Sequence, residues 1–101
     1  MSPLRAAAAV AAALPLLAAA ATHTVTIENM KFQPEALQVK KGDQVIWLNK
    51  DLVPHTATAA GKFDSGAIAS GKSWRWTAKS AGTVAYVCTY HPGMKGSVTV
   101  K

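Results

Sequence analysis

The sequence predicts an all-β protein, a Greek-key β-sandwich of two sheets over residues 22–101. Three observations carry this prediction. Apolar residues alternate with polar ones in several short runs, and Gly-, Pro- and Asp-bearing turns separate the runs at near-regular intervals. After Thr22 no segment shows an apolar period near that of a helix. A chain of 101 residues holds one domain, with no internal repeat and no linker.

Taken in order, His23–Glu28 places Val25 and Ile27 on one face and Thr24, Thr26 and Glu28 on the other. Met30 and Phe32 continue that period until Pro34 breaks it. Leu37 and Val39 form a short strand, ended by the turn Lys41-Gly42-Asp43. Gln44–Asn49 sets Val45 and Trp47 opposite Ile46 and Leu48, as in a strand covered on both faces. A loop follows to Pro54, and His55–Ala59 reads as another strand. Gly61, Gly66 and Gly71 punctuate a looser region around Phe63 and Ile68. Ser73–Thr77, Thr83–Cys88 and Ser97–Lys101 complete the set, and antiparallel pairing is expected.

Residues 1–21 are a separate object. Met1–Arg5 carries a positive charge and no acid, Ala6–Leu17 is apolar, and Ala18–Ala21 is small. That order is a secretory signal peptide, with cleavage after Ala20 or Ala21. The rival is an uncleaved membrane anchor. The 16 residues from Ala6 to Ala21 are weakly apolar and contain Pro15, whereas a span needs about 20 apolar residues. The mature protein is therefore expected to be soluble and periplasmic, with no membrane attachment.

Composition narrows the chemistry. A single Cys excludes an intrachain disulfide and any Cys-rich zinc site. Three His are too few for a multi-copper oxidase centre. A domain this small usually needs a disulfide, a metal or unusually good packing, and only the last two remain. Loss of Arg5 with the leader leaves ten basic and five acidic side chains. The lysines are scattered, which suits a solvated surface or at most an acidic partner face. Stacking of nucleic-acid bases on Trp47, Trp74 and Trp76 is the weaker reading, and nucleic acid is not expected as a partner.

The informative segment is Tyr86-Val87-Cys88-Thr89-Tyr90-His91-Pro92-Gly93-Met94. Cys88, His91 and Met94 stand at steps of three where a strand runs out into a tight loop. They offer a thiolate, an imidazole and a thioether, and the soft thioether favours copper. His55 lies 33 residues upstream, behind Pro54. One Cys with two His and a weak axial Met is the donor set of a blue-copper site. Singly, each residue has a plainer role: Met94 as core filler, Cys88 as a small buried residue, either His as a surface group. A Cys–His nucleophilic pair is the chemical rival, but no orienting carboxylate stands near His91 and Met94 would go unexplained.

At these residues the sequence resembles the cupredoxins, the plastocyanin, pseudoazurin and amicyanin group. The likeness runs from Met30-Lys31-Phe32-Gln33-Pro34 through Val39-Lys40-Lys41-Gly42-Asp43 and Val45–Asp51 to Val53-Pro54-His55. It ends on Gly82–Cys88 and His91-Pro92-Gly93-Met94-Lys95-Gly96, and the short ligand loop is most similar to the amicyanin branch. The loop departs from that branch at Tyr90, often Pro there, and at Gly93, often Phe.

The resemblance implies one type 1 copper ion held by His55, Cys88 and His91, with Met94 as long axial ligand. It implies that Asn49 ties the two ligand loops together through Thr89. His91 would be the electron port within an apolar rim of Val53, Pro54, Pro92 and Gly93. The implied function is a monomeric, non-enzymatic shuttle of single electrons between redox proteins such as a c-type cytochrome and a dehydrogenase. A carrier that delivers or stores copper is the alternative with the same ligands. A detached oxidase or nitrite-reductase domain would need further His ligands. His23 carries a smaller expectation. With cleavage after Ala20 it stands third from a free amine, a Cu(II)-binding arrangement, against a solvated His at a frayed terminus.

Overall fold

The alternating runs become nine strands in a computed structural model that describes residues 19–101. The leader reading of residues 1–18 lies outside the described residues. The strands are β1 (Thr22–Glu28), β2 (Lys31–Gln33), β3 (Ala36–Val39), β4 (Gln44–Asn49), β5 (Thr58–Ala59), β6 (Phe63–Asp64), β7 (Ser73–Thr77), β8 (Gly82–Cys88) and β9 (His91–Val100). One sheet has the order β2-β1-β4-β7, the other β3-β9-β8-β5-β6. No helix is found among the described residues.

Both sheets are mixed, which corrects the antiparallel expectation. β1 runs parallel to β4, and β3 parallel to β9. The chain leaves the first sheet after β2, crosses to the second for β3, then returns beside β1 in the same direction. Such a crossover follows from chain path, not from local alternation.

The inward faces meet in one core. Val25, Ile27, Val45 and Trp47 of one sheet pack with Tyr86, Cys88, Val98 and Val100 of the other, all buried. Phe32 and Trp47 both meet Tyr86 edge-on, with ring centroids 4.7 and 5.3 Å away, a geometry that adds to their area burial. Burial pushes the Tyr86 phenol up to about 12. Gly96 faces Tyr86 across the β8–β9 ladder, and a Cβ there would collide with the ring. Ile46 and Leu48 on the other face of β4 are half-buried, so the cover expected on both faces is partial.

Three local expectations change. Asn29 and Met30 take φ of 55° and 60°, so the strand does not run on through Met30 but turns back into β2. The Asp51 carboxylate holds that turn, accepting the amides of Asn29 at 2.8 Å and Met30 at 3.0 Å. The strand expected over His55–Ala59 shrinks to Thr58–Ala59. His55 makes only an isolated bridge to Ile68, while the next two amides go to side chains, Thr56 to Cys88 Sγ and Ala57 to Ser65 Oγ. The last strand begins at His91 instead of Ser97, because the ligand segment itself pairs with β8.

Candidate metal centre

The ligand segment is a hairpin end. β8 delivers Cys88 to one pole of the sandwich, Thr89 and Tyr90 turn the chain, and His91 opens β9 directly opposite Cys88. The register then slips, since Val87 faces Lys95 while Cys88 faces His91. The slip accommodates Pro92, Gly93 and Met94 against a single step of β8, a bulge-like irregularity that re-aims side chains. Met94 is buried there, on the same strand as His91 and three residues beyond it.

His55 reaches the same point from the segment after β4. Its Nδ1 lies 3.7 Å from Cys88 Sγ, and His91 Nδ1 lies 3.9 Å from the same sulfur. One donor atom from each of His55, Cys88 and His91 falls within 4.8 Å of the others. A first-row ion with metal–sulfur and metal–nitrogen bonds of about 2.3 and 2.0 Å would hold S and N about 3.8 Å apart in a trigonal plane. Both imidazole nitrogens stand at that spacing from the sulfur, so the donor set fits such an ion. His55 and Cys88 are fully buried and His91 is half-buried.

The neighbours fix these side chains. His55 Nε2 lies 2.8 Å from Asp51 Oδ2, which leaves Nδ1 to face the sulfur. Burial raises the Asp51 pKa, but the Met30 amide, the His55 ring and the Asn29 amide outweigh it and lower the net value. The Thr56 amide donates to Cys88 Sγ at 3.3 Å. The Thr56 hydroxyl accepts the Thr89 amide at 2.9 Å and lies 3.1 Å from the Thr89 hydroxyl.

Asn49 therefore does not tie the loops through Thr89. Its Nδ2 donates to the Val53 and Ile68 carbonyls at 2.8 and 2.9 Å, and its Oδ1 accepts the Asp51 amide at 2.9 Å. Asn49 shapes the loop that carries His55, while Thr56 makes the link between loops. Sequence reasoning missed Thr56 and Asp51. The one available signal was Asp51 four residues before a candidate ligand, within reach in a tight loop. His23 is not frayed: it sits in β1 with Nε2 2.9 Å from Asp43 Oδ2. Around the centre, Leu52, Val53, Pro54, Tyr90, Pro92 and Gly93 are exposed, and Leu52 is 93% exposed.

Fold and donors together define a small β-sandwich metalloprotein with one nitrogen–sulfur centre at a pole. The chain belongs to the copper-binding proteins of the plastocyanin/azurin family, whose family model matches residues 19–101, and its cofactor is copper. Within that family it stands near amicyanin. It is 36% identical to amicyanin of Paracoccus denitrificans over 83 residues, covering 76% of this chain and 63% of that protein. It is 34% identical to amicyanin-alpha of Methylorubrum extorquens over 94 residues, covering 83% of this chain and 76% of that one. The chain thus spans less than two thirds of the Paracoccus denitrificans protein it matches. A solved Cu(I) form of an amicyanin mutant matches with a TM-score of 0.77 and 31% identity, over 83% of this chain and 86% of that one.

Proposed function

We propose that this protein is an exported blue-copper carrier that passes single electrons between redox proteins. His55, Cys88, His91 and Met94 would hold the ion. Bound copper supplies the one-electron chemistry, and the chain's own residues keep the centre still. The observation that carries this reading is the pair of imidazole Nδ1 atoms facing one buried sulfur at 3.7 and 3.9 Å. Donors already in place need little movement when an electron arrives or leaves. Asp51 orients His55, and Thr56 fastens Cys88 and Thr89. Four protein ligands leave no open position for a substrate, which suits a carrier over an enzyme.

Half-buried His91 is the port, and the exposed apolar residues beside the two His are the docking rim. Residues 1–21 are the signal peptide, residues 22–101 are the mature domain, and the periplasm is the working compartment. No helix among the described residues is long and apolar enough to cross a membrane. The proposed partners are a dehydrogenase as donor and a c-type cytochrome as acceptor, each meeting a monomer transiently.

The test is the visible and EPR spectrum of the exported protein loaded with Cu(II). An intense blue band with narrow copper hyperfine splitting, lost in Cys88→Ser, is the expected result. A colourless protein whose Cys88 thiol still titrates in the presence of Cu(II) would remove the sulfur from the centre and end this reading.

A further inference from the structure

The pole opposite the metal centre carries a groove that the electron-transfer reading does not use. It has a volume of about 470 Å³ and lies between the end of β7, the start of β8 and the β5–β6 turn. Lys62, Arg75 and Lys79 line it with Trp76 and Val84, and no acid does. Trp76 and Val84 are half-buried and give the groove an apolar wall, while the three cations are exposed. Thr83, at its edge, is five residues from Cys88 along β8, or about 17 Å at strand rise. The groove is therefore well clear of His91.

The charge pattern says what this groove would hold. The only ion pairs among the described residues are His23–Asp43 and His55–Asp51, so no Lys or Arg there is neutralised by an acid. Asp43 and Asp51 are committed to those pairs, and Asp64 accepts bonds from Thr58 and Gly66 beside it. Ten cations are left facing little acid of the chain's own. Three of them meet around one concave, ring-walled groove. Concavity and an indole wall favour inserted side chains over a flat lipid surface.

We propose that this groove docks an acidic segment of a partner protein, with carboxylates on Lys62, Arg75 and Lys79 and aliphatic carbons against Trp76 and Val84. Contact there leaves the His91 rim uncovered, so a redox protein can be tethered at one pole while another exchanges electrons at the other.

The test is an amide and indole NMR titration of the reduced copper protein with a hexaglutamate peptide, inorganic phosphate, and phosphatidylcholine/phosphatidylglycerol vesicles. The peptide should shift the Trp76 indole N–H and the amides of Lys79–Val84, and added salt should weaken it. Reversing Lys62, Arg75 and Lys79 to Glu should weaken the peptide about tenfold or more, as expected for the loss of three exposed ion pairs. The same charge change at Lys31, Lys50 and Lys95 should leave affinity within about threefold, and all variants should keep the blue band. If the reversed groove does not fold, the Gln versions of its three positions replace it. Equal weakening by both sets, phosphate binding as tightly as the peptide, or vesicle binding without peptide binding would each overturn the proposal. The second outcome makes the groove a small-anion site, and the third makes it a membrane contact. Failure of the blue spectrum would strike only the copper reading, because the same titration is then read on the metal-free protein.

Discussion

At the scale of single residues, Thr56 is where the two ligand-bearing segments meet. Its amide reaches Cys88 Sγ and its hydroxyl takes the Thr89 amide, so one residue sets the distance between the His55 and Cys88 segments. Thr56→Val keeps the shape and the amide but removes the hydroxyl. The part-buried Thr89 bond is then lost, and such a hydrogen bond contributes about 0.5–1.5 kcal/mol. Urea unfolding of the copper protein should show a loss in that range, with a broadened or shifted blue band. Thr56→Ser should restore most of both. A valine variant as stable as its parent, with an unchanged band, would deny Thr56 that role. Neither Thr56 nor Asp51 was legible in the sequence as a support. The proposed ligands stand out by type and spacing, whereas Thr56 acts through Thr89, 33 positions away, and nothing local encodes that meeting. The same blindness sent Asn49 to the wrong partner.

At the scale of elements, Asp43 joins three pieces of chain at the far end of the sandwich. Its carboxylate accepts the amides of Lys40 at 3.0 Å and Ala21 at 2.9 Å and pairs with His23, while its carbonyl accepts the Ala78 amide at 2.8 Å. The approach to β1, the β3–β4 turn and the end of β7 thus converge on one acid. In the uncleaved chain the Lys40 and Ala21 amides and the His23 ring together lower the Asp43 pKa from 3.8 to about 2, and the Lys40 amide and His23 ring remain in the mature domain. A lowered carboxylate pKa adds stability that is complete above the unfolded value and is lost as pH falls through the folded one. Thermal unfolding should therefore show the melting temperature dropping between about pH 4 and pH 2. Asp43→Asn should melt lower at pH 5 and show a shallower fall across that window. Parallel curves for the two proteins would exclude Asp43 as the source. The sequence marked this place as a turn but gave no sign of the cluster. Strand alternation was legible because burial imposes a period of two on each strand by itself. Parallel pairing, the Asn29–Met30 reversal and the early start of β9 were not, since they depend on which strand lies alongside. In β9, Gly96 looks like a breaker yet pairs with Tyr86, while Pro92 and Gly93 fall in the bulge between the His91 and Lys95 pairings.

At the scale of the whole molecule, a domain of about 80 residues with one Cys must hold two mixed sheets together without a covalent cross-link. Its core spans both sheets, but a domain this size is marginal on burial alone. The proposed centre adds a link between the His55 segment and the β8–β9 hairpin, 33 residues apart in the chain. An ion bound by the folded state and not by the unfolded one stabilises by mass action, about 2.7 kcal/mol at a hundredfold excess over its dissociation constant. For a domain of this length each kcal/mol shifts the melting temperature by about 4–8 °C. Verified removal of copper should therefore lower the melting temperature by about 10–20 °C. Restoring Cu(II) should recover both the temperature and the blue band. The metal-free protein should nevertheless keep its strand content in far-ultraviolet circular dichroism, because the donors are set by backbone pairing and hydrogen bonds independent of the ion. His55 is held by its bridge to Ile68 and by Asp51, Cys88 by its place in β8, and His91 by pairing with Cys88. A melting temperature unmoved by copper would mean that packing alone carries the fold. Loss of strand signal on metal removal would mean that the centre is assembled by copper and not by backbone pairing.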